Sequence, residues 1–256
     1  MEILVIGLLL FGAMLHGITG LGFPMISTIS IAIIFPLPVA IALVILPNII
    51  INVMVLLPSR NTPKETSLTF LIQKFWLLIL SSIIGCVIGV LLLKALPISW
   101  LYLLLSLATL FYVFYAFFEN QKHPHLSHNT LLNSSLKMIL FGGLAGVIGG
   151  ATNAMSSILM MYLLANSNDK NEIIKTSNLC FLLAKIVQFI LLEDVFNQLT
   201  TKELWALPII TLLSIIALLI GINIRHKISV TLFKKIILVI LLLLSLKASW
   251  NAFVLM

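Results

Sequence analysis

The sequence predicts an all-α polytopic membrane protein made of two inverted-topology repeats. Each repeat is a glycine-broken re-entrant hairpin followed by three transmembrane helices. Three observations carry this prediction. First, the 256 residues are 61% hydrophobic and only 9% charged, whereas a soluble domain carries about 45–50% apolar and about 25% charged residues. Second, apolar stretches at 3–35, 38–57, 75–93, 98–118, 136–165, 172–192, 204–224 and 233–254 meet or approach the roughly 20 residues that span a bilayer. Third, one pattern occurs twice. HGITGLGFPMISTIS near the start is matched by AGVIGGATNAMSSIL further on. Leu15, Gly17, Gly20, Ser27 and Ile29 pair with Leu144, Gly146, Gly149, Ser156 and Ile158. Asn48 pairs with Asn178, and Ser82, Ile83, Ile84 and Gly89 pair with Ser214, Ile215, Ile216 and Gly221. A duplicated membrane unit with helices interrupted at corresponding places is the sequence pointer to a transporter binding site. The predicted organisation is a first repeat over 1–118, a cytoplasmic linker over 119–135 and a second repeat over 136–256.

The same composition excludes other classes. A transmembrane β-barrel alternates apolar and polar residues in runs of about 10, and no such alternation is present. The net charge of +7 sits in short loops between spans, where it orients the chain in the membrane and implies no nucleic-acid partner. The N-terminus lacks the basic region and small-residue cleavage site of a signal peptide. Cys86 and Cys180 lie inside predicted spans at unmatched positions, as small lipid- or core-facing residues with no disulfide or metal role.

Loop charge decides how the stretches cross. The basic loops hold Arg60, Lys64 and Lys74; Lys122 and Lys137; Lys170 and Lys175; and Arg225, Lys227, Lys234 and Lys235. By the positive-inside rule all four are cytoplasmic. If all eight stretches crossed, 58–74 and 223–235 would lie on opposite sides. The conflict vanishes if 136–165 enters and leaves on the cytoplasmic side. Two arms of about 15 residues reach about 22 Å, past the midplane of a ~30 Å core. By the repeat, 3–35 is a matching hairpin from the external side. Both termini are then external.

Within the hairpins, Gly17, Gly20 and Gly22, and Gly146, Gly149 and Gly150, interrupt what would otherwise be continuous helices. Glycine costs about 1 kcal/mol in a helix interior and permits positive φ. Pro24 suits the first turn of a new helix; Thr152 and Asn153 are expected to N-cap the second return arm. With no proline near Ser156 and Ser157, the second hairpin is expected to bend less sharply. Unpaired backbone at this depth is tolerated only where protein buries it or a cavity adjoins it. Two helix N-termini would meet near the midplane, a setting suited to an anion. Gly20, Leu21, Gly22 and Phe23 are therefore candidate substrate contacts, with Gly149, Gly150, Thr152 and Asn153 in the second half. The competing role for the glycines is close helix packing, and Gly142, Gly146 and Gly150 fit that spacing.

Polar residues inside the spans complete the candidate site. Asn48 and Asn52 share a helix face, and Pro47 frees the carbonyl of Leu43. Asn178, Lys185 and Gln188 lie roughly on one face of the matching span. A cation this deep costs at least ~2.5 kcal/mol on insertion scales, so Lys185 is expected to face an anion, with snorkelling or a structural pairing as its competing role; Lys247, near the C-terminus, is expected to snorkel. His16 is the candidate for a coupled proton, with a helix–helix hydrogen bond as its competing role. His123, His125 and His128 sit in a cytoplasmic loop without acidic or cysteine co-ligands, so no metal site is expected.

These pieces resemble the sulfite exporter TauE/SafE family of membrane transporters. HGITGLGFPMIST, LPNIIIN, GGATNAMSSILMMYLL and SNLCFLLAKIVQ carry the resemblance, in that order and over essentially the whole chain. It implies a secondary transporter, not an enzyme, moving a small sulfur-containing anion such as sulfite or an organosulfonate across the bacterial inner membrane, with export the expected direction. An intramembrane enzyme or a structural membrane subunit are the alternatives. The expected partners are a small anion and the lipid bilayer, a homodimer is compatible, and no cofactor is expected.

Overall fold

The computed structural model describes residues 2–57, 67–97, 134–167, 169–225 and 229–255, with 99–100, 102–103, 106–107, 110, 113–114 and 227. The described residues form helices and their connections. In chain order the helices are α1 (Glu2–Thr19), α2 (Phe23–Ile31), α3 (Leu37–Leu56), α4 (Leu68–Ala95), α5 (Ser134–Thr152), α6 (Met155–Asn166), α7 (Lys170–Leu191), α8 (Thr201–Arg225) and α9 (Val230–Leu255). A single turn, Glu193–Phe196, follows α7. Of these, α3, α4, α5, α7 and most of α8 are long and apolar enough to cross a membrane. The described positions between 99 and 114 are helical; the rest of the expected 98–118 span lies outside the described residues. So do Arg60, Lys64, Lys122, His123, His125 and His128.

Both interrupted stretches fold back on themselves. A Cβ on Gly12 of α1 would lie 2.9 Å from the Ile26 side chain of α2. In a continuous helix those residues would be about 21 Å apart. In the second half, the rings of Phe141 in α5 and Tyr162 in α6 have centroids 6.0 Å apart, where a continuous helix would separate them by about 31 Å. The absence of a proline therefore does not soften the second bend. Its turn is made instead by Asn153 at φ +63°, a conformation that asparagine tolerates better than most residues. The arms are unequal, contrary to the expected pair of about 15 residues each. The entering helices α1 and α5 have 18 and 19 residues, and the return helices α2 and α6 have 9 and 12.

The direction of α4 and α7 agrees with these hairpins. Lys74 Nζ donates to Glu172 Oε1 at 2.6 Å, Cys86 Sγ to the Ala184 carbonyl at 3.5 Å, and Lys94 Nζ to Asp194 Oδ1 at 2.8 Å. The sequence separations are 98, 98 and 100. A near-constant separation over this length means that the two helices run parallel and in register.

Helix partners are exchanged between the halves. The entering arm α1 packs on α8 of the second half, and α5 packs on α4 of the first; likewise α3 packs on α8 and α7 on α4, with α3 against α7. Every contact in this set has its counterpart under the sequence repeat. Without a hydrophobic force between helices in lipid, such seams depend on small residues that let backbones approach. Here they do. A Cβ on Gly17 would overlap the Leu218 carbonyl oxygen, and one on Gly221 the carbonyl of Met14. On the mirrored seam, Gly85 and Gly89 meet the carbonyls of Gly143 and Val147, while Gly142, Gly146 and Gly150 meet those of Leu78, Ser82 and Cys86. Gly17, Gly146 and Gly150 are thus packing residues. The breaks fall at Gly20, Gly22 and Asn153.

Candidate functional site

The first break is built by local chemistry and fixed by α7. Gly20 and Gly22 take φ +72° and +96°, left-handed values that glycine adopts without a Cβ penalty. Gly22 caps α2, whose first turn contains Pro24. The Leu21 N–H donates to Thr19 Oγ1 at 3.1 Å. Asn178 of α7 then ties the turn down, its amide donating to the carbonyls of Gly20 at 3.1 Å and Ile174 at 2.7 Å. Its Oδ1 pairs with His16 Nε2 at 2.8 Å. Because the Asn178 amide nitrogen is committed to carbonyls, Oδ1 is the acceptor and His16 Nε2 carries the proton. His16 is fully buried, and its Nδ1 has no partner. The ring of Phe23 meets that of His16 edge-on, with centroids 6.5 Å apart.

The second break is held further along the same helix. Gln188 Nε2 donates to the carbonyls of Gly149 at 3.1 Å and Gly150 at 3.0 Å, and to Asn153 Oδ1 at 2.9 Å. Lys185 Nζ donates to Asn153 Oδ1 and to Gln188 Oε1. Asn153 Nδ2 reaches across to Thr28 Oγ1 of α2 at 2.7 Å, joining the two hairpins. Thr28 in turn donates to the Pro24 carbonyl at 2.6 Å. The expected N-capping is not seen. Thr152 Oγ1 bonds back to the Ile148 carbonyl at 2.8 Å inside α5, and the cap of α6 is Ala154, with no side-chain bond. The left-handed turn at Asn153 aims its amide sideways at α7 and α2, leaving the first N–H groups of α6 without a side-chain partner.

The two turns are not face to face at one level. Asn178 and Gln188 are ten residues apart on α7, about 15 Å along the axis. Between them lies a small cavity with room for about one water, lined by Pro24, Gly149, Asn153, Met155, Phe181, Ala184 and Lys185. The first turns of both return helices border it, at Pro24 and Met155. Lys185 is 3% exposed, and its ammonium donates to two neutral amide oxygens. An ammonium has three donors, so one is left for a ligand.

Of the expected contacts, Gly149, Asn153 and Lys185 line the cavity, and Gly150 and Gln188 support it from behind. Gly20, Leu21, Gly22, Phe23 and Asn178 form the first turn one level away. Asn48 and Asn52 are fully buried on α3 and are absent from the cavity lining. Sequence reasoning missed Pro24, Thr28, Met155, Phe181 and Ala184 as site residues. Pro24 was legible only as a helix start, and Thr28 only as the match to Ser157 at the repeat offset of 129.

Compared with known families, residues 4–248 match the sulfite exporter TauE/SafE family. The chain belongs to that family. No curated protein and no solved structure matches significantly. Family membership and the apolar helices together make this a multi-pass membrane protein of a transporter family.

Proposed function

We propose that this TauE/SafE family chain is a secondary transporter that exports a small sulfur oxyanion, sulfite or an organosulfonate, across the bacterial inner membrane. The observation that carries this reading is Lys185. It is a deeply buried cation whose partners are neutral, beside a cavity that the N-terminal turns of α2 and α6 both border. A buried ammonium without a counter-charge is costly, and an anion bound there removes the cost. The two helix starts, neither capped by a side chain, add positive dipole ends. Phe181, Met155 and Ala184 supply an apolar wall, which suits the carbon end of an organosulfonate.

The cavity is too small for a four-atom oxyanion as it stands, so the hairpins must separate to load it. The Asn153–Thr28 bond joins them and has to open. In this reading the two halves have inverted topology, with the ends at Lys74, Glu172 and Arg225 cytoplasmic and the end at Lys94 and Asp194 external. His16 Nδ1, buried and unpartnered, is where a coupled proton would land. Efflux of radiolabelled sulfite, and in parallel of a labelled organosulfonate, from loaded proteoliposomes tests the proposal. Efflux of either well above that from empty liposomes, and lost in Lys185→Gln, is expected. Equal efflux of both solutes with and without protein would overturn it.

A further inference from the structure

The repeat makes one pair of positions unequal in an informative way. Asn178 matches Asn48, and His16, which lies between the matched Leu15 and Gly17, corresponds to Ala145. Around Asn178 every polar atom is satisfied: the amide nitrogen by two carbonyls and the oxygen by His16. Around Asn48 only half is. Its Nδ2 donates to the Val44 carbonyl at 2.6 Å, which fixes the amide orientation, since only the nitrogen can donate to a carbonyl. Oδ1 is therefore the free atom, and it has no partner. Ala145, the repeat counterpart of His16, has no side-chain N–H to offer. One turn on, Asn52 is also fully buried, and neither its oxygen nor its nitrogen has a partner.

Buried unpaired polar atoms carry a desolvation penalty unless something binds them. What Asn48 presents is an acceptor, which repels an anion and attracts a cation or a donor. Side chains four apart on a helix have Cβ atoms about 5–6 Å apart, so both amide oxygens can converge on one ion. Both are neutral. The buried acidic residue Glu172 is engaged with Lys74 at the far end of α4 and α7. Divalent ions are ordinarily held by carboxylates, and among the described residues no group of three or more His, Cys, Asp or Glu is placed to hold a metal.

We propose that Asn48 and Asn52 on α3 form a binding site for a monovalent cation, Na⁺, separate from the Lys185 cavity. Thermal unfolding of the purified protein in NaCl, KCl and choline chloride, without any sulfur anion, tests this independently of the anion reading. Sodium at tenfold saturation should raise the midpoint by roughly 3–6 °C over choline. Asn48→Leu and Asn52→Leu should lose the shift while remaining as stable as wild type in choline, because each removes an unsatisfied group. Asn48→Ser, which keeps an oxygen, should retain part of it and serves if the leucine variants fail to fold. Equal midpoints of the wild type in all three salts would show that water alone satisfies the amides, overturning the proposal. A sodium shift that persists in the variants would overturn it too.

Discussion

The glycine seams give a prediction with an internal control. Gly143 and Gly146 lie in the same helix, α5, three residues apart. A Cβ at Gly143 would find nothing within 4 Å, whereas one at Gly146 would overlap the Ser82 carbonyl oxygen and stand 2.8 Å from the Cys86 nitrogen. Ordinary contact begins near 3.4 Å, so by 3.4 − 2.8 the α4–α5 backbones must part by at least 0.6 Å. Both substitutions to alanine gain the same helix propensity, about 1 kcal/mol, which cancels in the comparison. The difference left is overpacking, about 1–3 kcal/mol, at the upper end because the obstacle is backbone. Gly143→Ala should thus be neutral or stabilising and Gly146→Ala destabilising. At about 2–4 °C per kcal/mol for a chain of this size, their midpoints should differ by several degrees. Cys86 and Cys180 are free and buried, so a thiol-reactive dye reports unfolding directly. Equal midpoints for the two variants would refute the seam.

Other outcomes follow from the same geometry. Gly20→Ala should cost more than Gly22→Ala although both have positive φ, because its Cβ would lie 2.7 Å from Ile174 while Gly22 meets only the end of Ile26 at 3.4 Å; thermal midpoints of the two variants decide it. Asn153→Ala should slow transport more than Asn153→Gly, since both lose the bonds to Thr28 and Lys185 but only glycine accepts φ +63° freely; initial efflux rates measure the difference. Lys94 donates to the Asp194 carboxylate and holds its pKa below the usual range. The stabilisation from that pair is complete above the ordinary carboxylate pKa and is lost as pH falls through the lowered one. Asp194→Asn should therefore lower the midpoint at pH 7 by the small amount that an exposed pair contributes, and the gap to wild type should close as the pH falls into the acid range.

How far the sequence revealed this architecture depended on which signal each residue left. The paired glycine clusters were enough to find two helical hairpins, because helix interruption is a one-dimensional property. The division of labour among those glycines was not legible. Gly17, Gly146 and Gly150 pack on α8 and α4, and that depends on a partner exchange between halves that no local pattern encodes. Lys185 stood out because a charge inside a span is conspicuous anywhere. Asn153 was found for the wrong reason. Its residue type suggested a cap, but its left-handed turn directs the amide to Thr28, Lys185 and Gln188. The apolar cavity wall of Met155, Phe181 and Ala184 left no signal at all, since such residues are interchangeable with lipid-facing ones in a span.

In the proposed mechanism the Lys185 ammonium holds the anion. Removing one partner of a buried charge pair costs about 3–5 kcal/mol, and each 1.4 kcal/mol is tenfold in affinity. The decisive measurement is the affinity of purified protein for sulfite and for an organosulfonate, by calorimetry, in wild type, Lys185→Gln, Lys185→Arg and Lys247→Gln. Lys185→Gln should weaken binding at least about a hundredfold, Lys185→Arg should keep part of it because the charge survives, and exposed Lys247→Gln should change little. Equally small effects of Lys185→Gln and Lys247→Gln would rule out Lys185 as the anion's holder and leave that role to the helix N-termini alone.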